Sequence, residues 1–174
     1  MTNKNDEYFN SMEKYCFETL TKLNHDQEIW ETLDQLPKFH CCDASGQTSK
    51  GCKCLIELKA RTGDTSHFND LFIESKKVAY LLLAYITEGF IPLYINYTEC
   101  KVGELPKKIW VWRLDRLNRF KYIPSIRTWS SGYGKAENGE RFSFGFDDAT
   151  MYQLDDETNT YLMVNNRNAY KGCE

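Results

Sequence analysis

Apolar residues recur at Phe9, Met12, Cys16, Leu20 and Leu23, the three- and four-residue spacing that predicts one helix over about 6–24. On a helical wheel Glu13 falls inside this stripe, near Phe9, Cys16, Phe17 and Leu20, whereas Glu18 lies opposite it. A second, short helical piece is expected over 25–36, closed by Pro37. Residues 38–43 read as a short strand, 44–51 as a turn rich in Ser, Gly and Thr, and 52–60 as the strongest strand of the chain, so that the two strands form a hairpin. A polar loop over 61–69 leads to a long helix over about 70–88, capped by Asn69 or Asp70 and ended by Gly89. Leu71, Phe72, Val78, Ala79, Leu82, Leu83, Tyr85 and Ile86 wrap most of its circumference, which predicts a helix buried in the domain centre. The alternating aromatic and β-branched runs at 91–97 and 108–114 predict strands. A Ser/Gly loop over 130–139 and strands over 141–146 and 161–164 complete the pattern.

Charges interrupt that pattern where they are least expected. Side chains alternate along a strand, so Glu57 and Lys59 project from one face of 52–60, side by side in an apolar run. Buried charges have to be paired, hydrogen-bonded or metal-bound, and this strand therefore asks for a reason. On the following helix Glu74 and Lys77 are spaced for a surface ion pair, while Lys76, between Phe72, Tyr80 and Leu83, is expected to point inward.

With 174 residues, 41% hydrophobic and 27% charged, the chain fits a single globular domain over 1–174. Its first residues carry no apolar signal segment, and its longest apolar run, 78–86, is far short of the roughly 20 residues that span a bilayer. A soluble, cytoplasmic protein without membrane contact is expected. Seven cysteines, an odd number in such a chain, predict reduced thiols. A zinc site built from His40, Cys41, Cys42, Cys52 and Cys54 is the alternative, but their spacing departs from paired Cys-x-x-Cys knuckles, and small buried side chains are the expected role. The net charge of −3 predicts no partner, but its distribution is uneven: between 107 and 141 nine Lys and Arg face three acids. Within this basic block Arg116, Arg119, Lys121 and Arg127 are the candidates for phosphate contact, and Trp110 and Trp112, on one strand face, are expected in the core.

The order is thus helix, hairpin, helix, two strands, with acids at Glu13, Asp43 and Glu57 and a lysine at Lys59. Phosphodiester hydrolysis uses these groups: hard carboxylate oxygens that hold Mg²⁺, and a cation that positions water or stabilises charge developing on phosphorus. Asp43, followed after thirteen residues by Glu57-Leu58-Lys59, resembles the signature of the PD-(D/E)XK nuclease superfamily. The resemblance runs from about Glu13 to Leu114. It implies an α/β (α+β) fold with a restriction-endonuclease-like core, a central mixed sheet flanked by helices in the order αβββαβ over about 6–115, and a β-rich C-terminal extension over 116–174.

It also implies a nuclease dependent on Mg²⁺ or Mn²⁺ and acting on DNA in preference to RNA. Asp43, Glu57, the Leu58 carbonyl and an auxiliary Glu13 would hold the metal, and Lys59 would be the catalytic lysine. Lys76-x-x-x-Tyr80 resembles a helix motif of the recombination-exonuclease and resolvase branches, with Lys where the exonuclease branch has Gln, and makes Lys76 and Tyr80 auxiliary site residues. Cys42 stands where the superfamily has Pro. A homodimer is compatible with this reading. A non-catalytic nucleic-acid- or protein-binding module of the same fold is the alternative, and an unrelated fold with Glu57 and Lys59 paired at an exposed sheet edge is a third reading.

Overall fold

The structure, a computed structural model, describes residues 4–38, 40–62, 70–100, 104–117, 120–129 and 136–166. The helix α1 (Lys4–Gln27) is followed by strands β1 (Thr32–Gln35), β2 (Ala44–Gln47), β3 (Lys53–Thr62) and β4 (Asp70–Glu74), then by α2 (Ser75–Glu88), β5 (Ile91–Cys100), β6 (Lys108–Arg113), β7 (Lys121–Trp129), β8 (Ala136–Gly145), β9 (Thr150–Asp155) and β10 (Thr160–Asn166). Among the described residues the fold is mixed α+β, with a large, mostly antiparallel sheet and two α-helices.

Seven strands form that sheet in the order β1-β2-β3-β5-β6-β9-β10, and β4-β8-β7 form a second one. Among the described residues only β3 and β5 run parallel, because the connection between them leaves the sheet through β4 and α2 and returns in the same direction. Each face of the large sheet carries its own core. Cys54, Ile56 and Leu58 turn to Cys16, Leu20 and Leu23 of α1. Leu55 turns to the other face, where Tyr94 and Trp112 meet Val78, Leu81 and Ala84 of α2 and Phe144 of the second sheet. The strand that carries Glu57 lies between β2 and β5, with β2 alongside only Lys53–Ile56 of it; Glu57 itself is buried, so the reading of an exposed edge pair with Lys59 does not hold.

Several expected elements change type. The helix expected over 25–36 is only the end of α1. Glu28 takes a left-handed φ of 50°, Trp30 turns into the core, and Thr32–Gln35 pairs with β2. Of the expected strand at 38–43, residues 40–43 form a bend and residue 39 lies outside the described residues, while the expected turn supplies β2. Ala44 and Gly46 are buried there, and Gly46 lies against the Trp30 indole. A Cβ on Gly46 would sit 2.8 Å from Trp30 Cδ1. The indole cannot easily withdraw, since its Nε1–H donates to Cys54 Sγ at 3.0 Å and its backbone N–H to Asn24 Oδ1 at 2.7 Å. Gly46→Ala is accordingly expected to destabilise the fold by about 1–3 kcal/mol, read as a lower urea midpoint at unchanged m-value.

The long helix begins five residues late, because 70–74 is a strand: Leu71 and Ile73 are buried and the segment pairs with Arg141–Gly145 of β8. The N-cap of α2 is Glu74 and not Asp70, Asn69 lies outside the described residues, and Gly89 ends the helix at φ 75° as expected. The helix is not central. Only Val78, Leu81 and Ala84 are buried, and Leu83, Tyr85 and Ile86 are exposed. The strands expected at 91–97, 108–114, 141–146 and 161–164 are present within β5, β6, β8 and β10. The loop expected over 61–69 lies largely outside the described residues, as does the first part of the one over 130–139. Among the described residues no helix is long and apolar enough to cross a membrane.

Candidate active site

Beyond its pairing with β2, strand β3 loses its neighbour on one side, and that gap is where the charged side chains gather. Asp43 stands at the mouth of the gap. Its N–H donates to the Ile56 carbonyl at 3.1 Å and its own carbonyl accepts the Leu36 N–H at 2.9 Å, so β3 and the end of β1 both fix its backbone. Its side chain then takes the place of the missing strand: Oδ2 accepts the Leu58 N–H at 2.7 Å. Backbone groups of alternate residues point to the same side of a strand, so the Leu58 carbonyl, like that of Ile56, faces this gap.

Glu57 comes from the next position of β3 and is 9% exposed. Its carboxyl meets that of Asp43 and accepts a hydrogen bond from Lys77 of α2, Nζ to Oε2, at 2.9 Å. Burial, and then the Asp43 charge, push the Glu57 carboxyl up to about 8 against the pull of Lys77. Burial alone would lower the Lys77 ammonium, but the carboxylate beside it holds it above its ordinary value. Cys42 packs against the pair; burial and the nearby Glu57 push its thiol up to about 12.

A cavity of about 310 Å³ opens over this corner. Asp43, Glu57, Leu58 and Lys59 line one side, Met12, Glu13, Cys16 and Phe17 of α1 another, and residues 35–38 a third. The structure thus brings Asp43, Glu57, Leu58, Lys59 and Glu13 to one cavity. Glu13, expected inside the apolar stripe of its helix, is exposed at the cavity wall. It does not close a tight cluster with the other two acids: among the described residues no three His, Cys, Asp or Glu are grouped to hold a metal ion.

Three expectations are corrected. The ion-pair partner of Glu57 is Lys77 and not its strand neighbour Lys59, which is exposed. For the same reason Lys77 does not make the surface pair with Glu74. Lys76, expected inward, is exposed, and Lys77 is the half-buried lysine of this helix. The spacing of α2 could have shown this: Lys77 precedes the buried Leu81 by four residues and so flanks the buried stripe, whereas Lys76 precedes Tyr80. Tyr80 turns to the segment before Asp43, its ring edge-on to His40 at 5.8 Å. The Nδ1 of His40 accepts the Cys42 N–H at 3.1 Å.

The cysteines are dispersed. Cys54 lies under Trp30 and Cys42 beside Glu57, Cys41 is exposed, and these three are free thiols. Cys52 is disulfide-bonded, contrary to the expectation of reduced thiols. Part of the basic block is neutralised internally: Lys107 pairs with Asp156, Lys108 with Glu99 at 2.6 Å, and the buried Arg113 with Asp115 at 2.6 Å. Trp112 is fully buried, as expected of the core, and Trp110 stacks on it. Lys121 is exposed on β7 and Arg116 half-buried before it; Arg119 and the Arg127 side chain lie outside the described ones. β7 belongs to the second sheet, not to the one that carries Asp43 and Glu57.

No protein-family model and no curated protein matches the chain. Among solved structures it is similar to Hjc, a Holliday junction resolvase of the archaeal hyperthermophile Archaeoglobus fulgidus, with a TM-score of 0.41 and 14% identity over 71% of this chain and 83% of that one.

Proposed function

We propose that the protein is a metal-dependent phosphodiester hydrolase of the PD-(D/E)XK type acting on nucleic acid, DNA in preference to RNA. The observation that supports this best is the meeting of the Asp43 and Glu57 carboxyls at the gap in the sheet, one of them buried. Burial first, and then the repulsion of the adjacent Asp43 carboxylate, shift Glu57 upward. A divalent cation relieves that repulsion. The donors are hard oxygens, which suit Mg²⁺ or Mn²⁺, so the residues fit such an ion.

Asp43, Glu57 and the Leu58 carbonyl would hold it, with Glu13 as an auxiliary acid on the α1 wall of the cavity. When bound, the ion lowers the pKa of water and offsets the charge that develops on phosphate oxygens. Asp43 keeps β3 in place through the Leu58 amide while it presents its second oxygen to the cavity. Lys59, an exposed cation on the cavity wall, orients the attacking water or meets the charge on the phosphate. The exposed Lys121 and the half-buried Arg116 serve as secondary contacts to the phosphate backbone.

Supercoiled plasmid and single-stranded DNA are incubated with Mg²⁺ or Mn²⁺ and either wild type or Lys59→Ala. The wild type is expected to cleave at least one of them, and the variant to be slower by about 10²-fold or more. Equal rates would overturn the assignment of Lys59. Absence of cleavage, together with DNA binding and no divalent-ion heat in calorimetry, would instead identify a non-catalytic binding module.

A further inference from the structure

We propose that Lys77 is the positioning residue of the Glu57 carboxylate, holding one of its oxygens so that the carboxylate stands ready for a divalent ion; the role rests on Glu57 being a metal ligand. The contact is direct, Nζ to Oε2 at 2.9 Å, and shielded, with the two side chains only 28% and 11% exposed. A surface pair of that length would contribute little, but this one joins two layers of the fold. Glu57 lies on β3, and Lys77 stands beside Val78, whose packing with Leu81 and Ala84 fixes α2 on the sheet.

Nothing local favours a lysine at this position. Residue 77 is in the first turn of α2, where the helix dipole disfavours cations. No acid accompanies it in that turn, and the N-cap Glu74 makes no side-chain hydrogen bond to the helix. The attraction comes from across the layer, from Glu57 first and from Asp43 as well.

A free glutamate side chain rotates about three bonds, and ordering them costs conformational entropy. With Oε2 engaged by Lys77, that ordering is complete before an ion arrives. With both carboxylates ionised the trio keeps a net charge of −1, so the ammonium does not cancel the attraction for a divalent cation. Outer groups that orient metal ligands in this way typically change metal affinity by about 10–100-fold when removed.

The test is calorimetric titration of the DNA-free protein with Mn²⁺, accompanied by a thermal melt. Wild type, Glu57→Gln, Lys77→Met, Lys77→Gln and Lys77→Arg are compared. Lys77→Met is expected to weaken Mn²⁺ binding by about 10–100-fold, Lys77→Gln by less, and Lys77→Arg to stay within a few-fold of wild type. If Lys77→Met does not fold, Lys77→Gln, which retains a donor without the charge, decides by the same readout. Unchanged Mn²⁺ affinity in a folded variant would show a purely structural ion pair, and tighter binding would show that Lys77 competes with the ion; either overturns the proposal. A wild type that binds no Mn²⁺, or binds it equally well as Glu57→Gln, would remove the metal site itself, an outcome visible without any Lys77 variant.

Discussion

Asp43→Asn should abolish metal-dependent cleavage, lowering the rate by about 10³-fold or more, while leaving the protein folded. The two effects separate because Asp43 has two tasks. Its Oδ2 accepts the Leu58 N–H at 2.7 Å, and the amide oxygen of asparagine can accept the same bond, so β3 keeps its support at the gap. What asparagine lacks is the negative charge beside Glu57. Loss of an anionic ligand forfeits several kcal/mol of charge stabilisation at a hydrolytic metal centre, and about 4 kcal/mol corresponds to about 10³ in rate. Asp43→Ala, in contrast, removes both the charge and the acceptor, and should lower stability by a further 1–3 kcal/mol or so, because a half-buried backbone amide is left without its partner. A plasmid-nicking assay paired with urea denaturation of both variants checks this. Retention of wild-type cleavage by Asp43→Asn would refute the metal-site assignment.

The second large effect concerns stability, and it runs opposite to activity. Glu57→Gln should inactivate the protein and make it more stable at alkaline pH. The ordinary carboxyl value is 4.5, whereas burial and the neighbouring Asp43 raise Glu57 to about 8 in the folded protein. Between those values the folded state retains a proton that the unfolded chain has lost. Glu57 therefore supports folding fully below about 4.5, and that support is lost as pH rises through about 8. Each pH unit of separation is worth about 1.4 kcal/mol, so the decline amounts to a few kcal/mol over the window.

Glutamine stays neutral throughout, and its amide can donate to Asp43 as the protonated carboxyl does. Melts in EDTA are thus expected to coincide near pH 5 and to diverge by about 2 kcal/mol in favour of Glu57→Gln above pH 8, part of the gain being offset by the unpaired Lys77. Mn²⁺ should narrow the gap by stabilising the wild type alone. Parallel pH profiles without metal would rule out Glu57 as the source. A site that is destabilising when empty is a familiar feature of functional centres.

Much of this site was legible along the chain. Alternation in 52–60 places Glu57 among apolar neighbours, and the thirteen-residue interval back to Asp43 suffices for a turn that returns beside it. The helical spacing of Cys16, Leu20 and Leu23, the αL glycine at 89 and the runs that became β5 and β6 were equally clear, because each is set by local periodicity or by a single residue's conformational freedom. These features are properties of the sequence itself.

What only the tertiary structure decided are the pairings between distant segments. Asp70–Glu74 alternates weakly and adjoins a strong helix, and it becomes a strand only because β8 lies alongside it. Ala44–Gln47 has the composition of a turn, yet the Trp30 indole needs a small residue beneath it and β3 needs a neighbour, so it becomes β2. With Phe72 drawn into a strand, the buried stripe of α2 is set by Val78, Leu81 and Ala84 alone, and Lys77 rather than Lys76 turns inward. Local pattern thus determined which charges required an explanation. The partner of Glu57 was settled by packing across layers, since a buried carboxylate takes its cation from whichever element the core brings within reach.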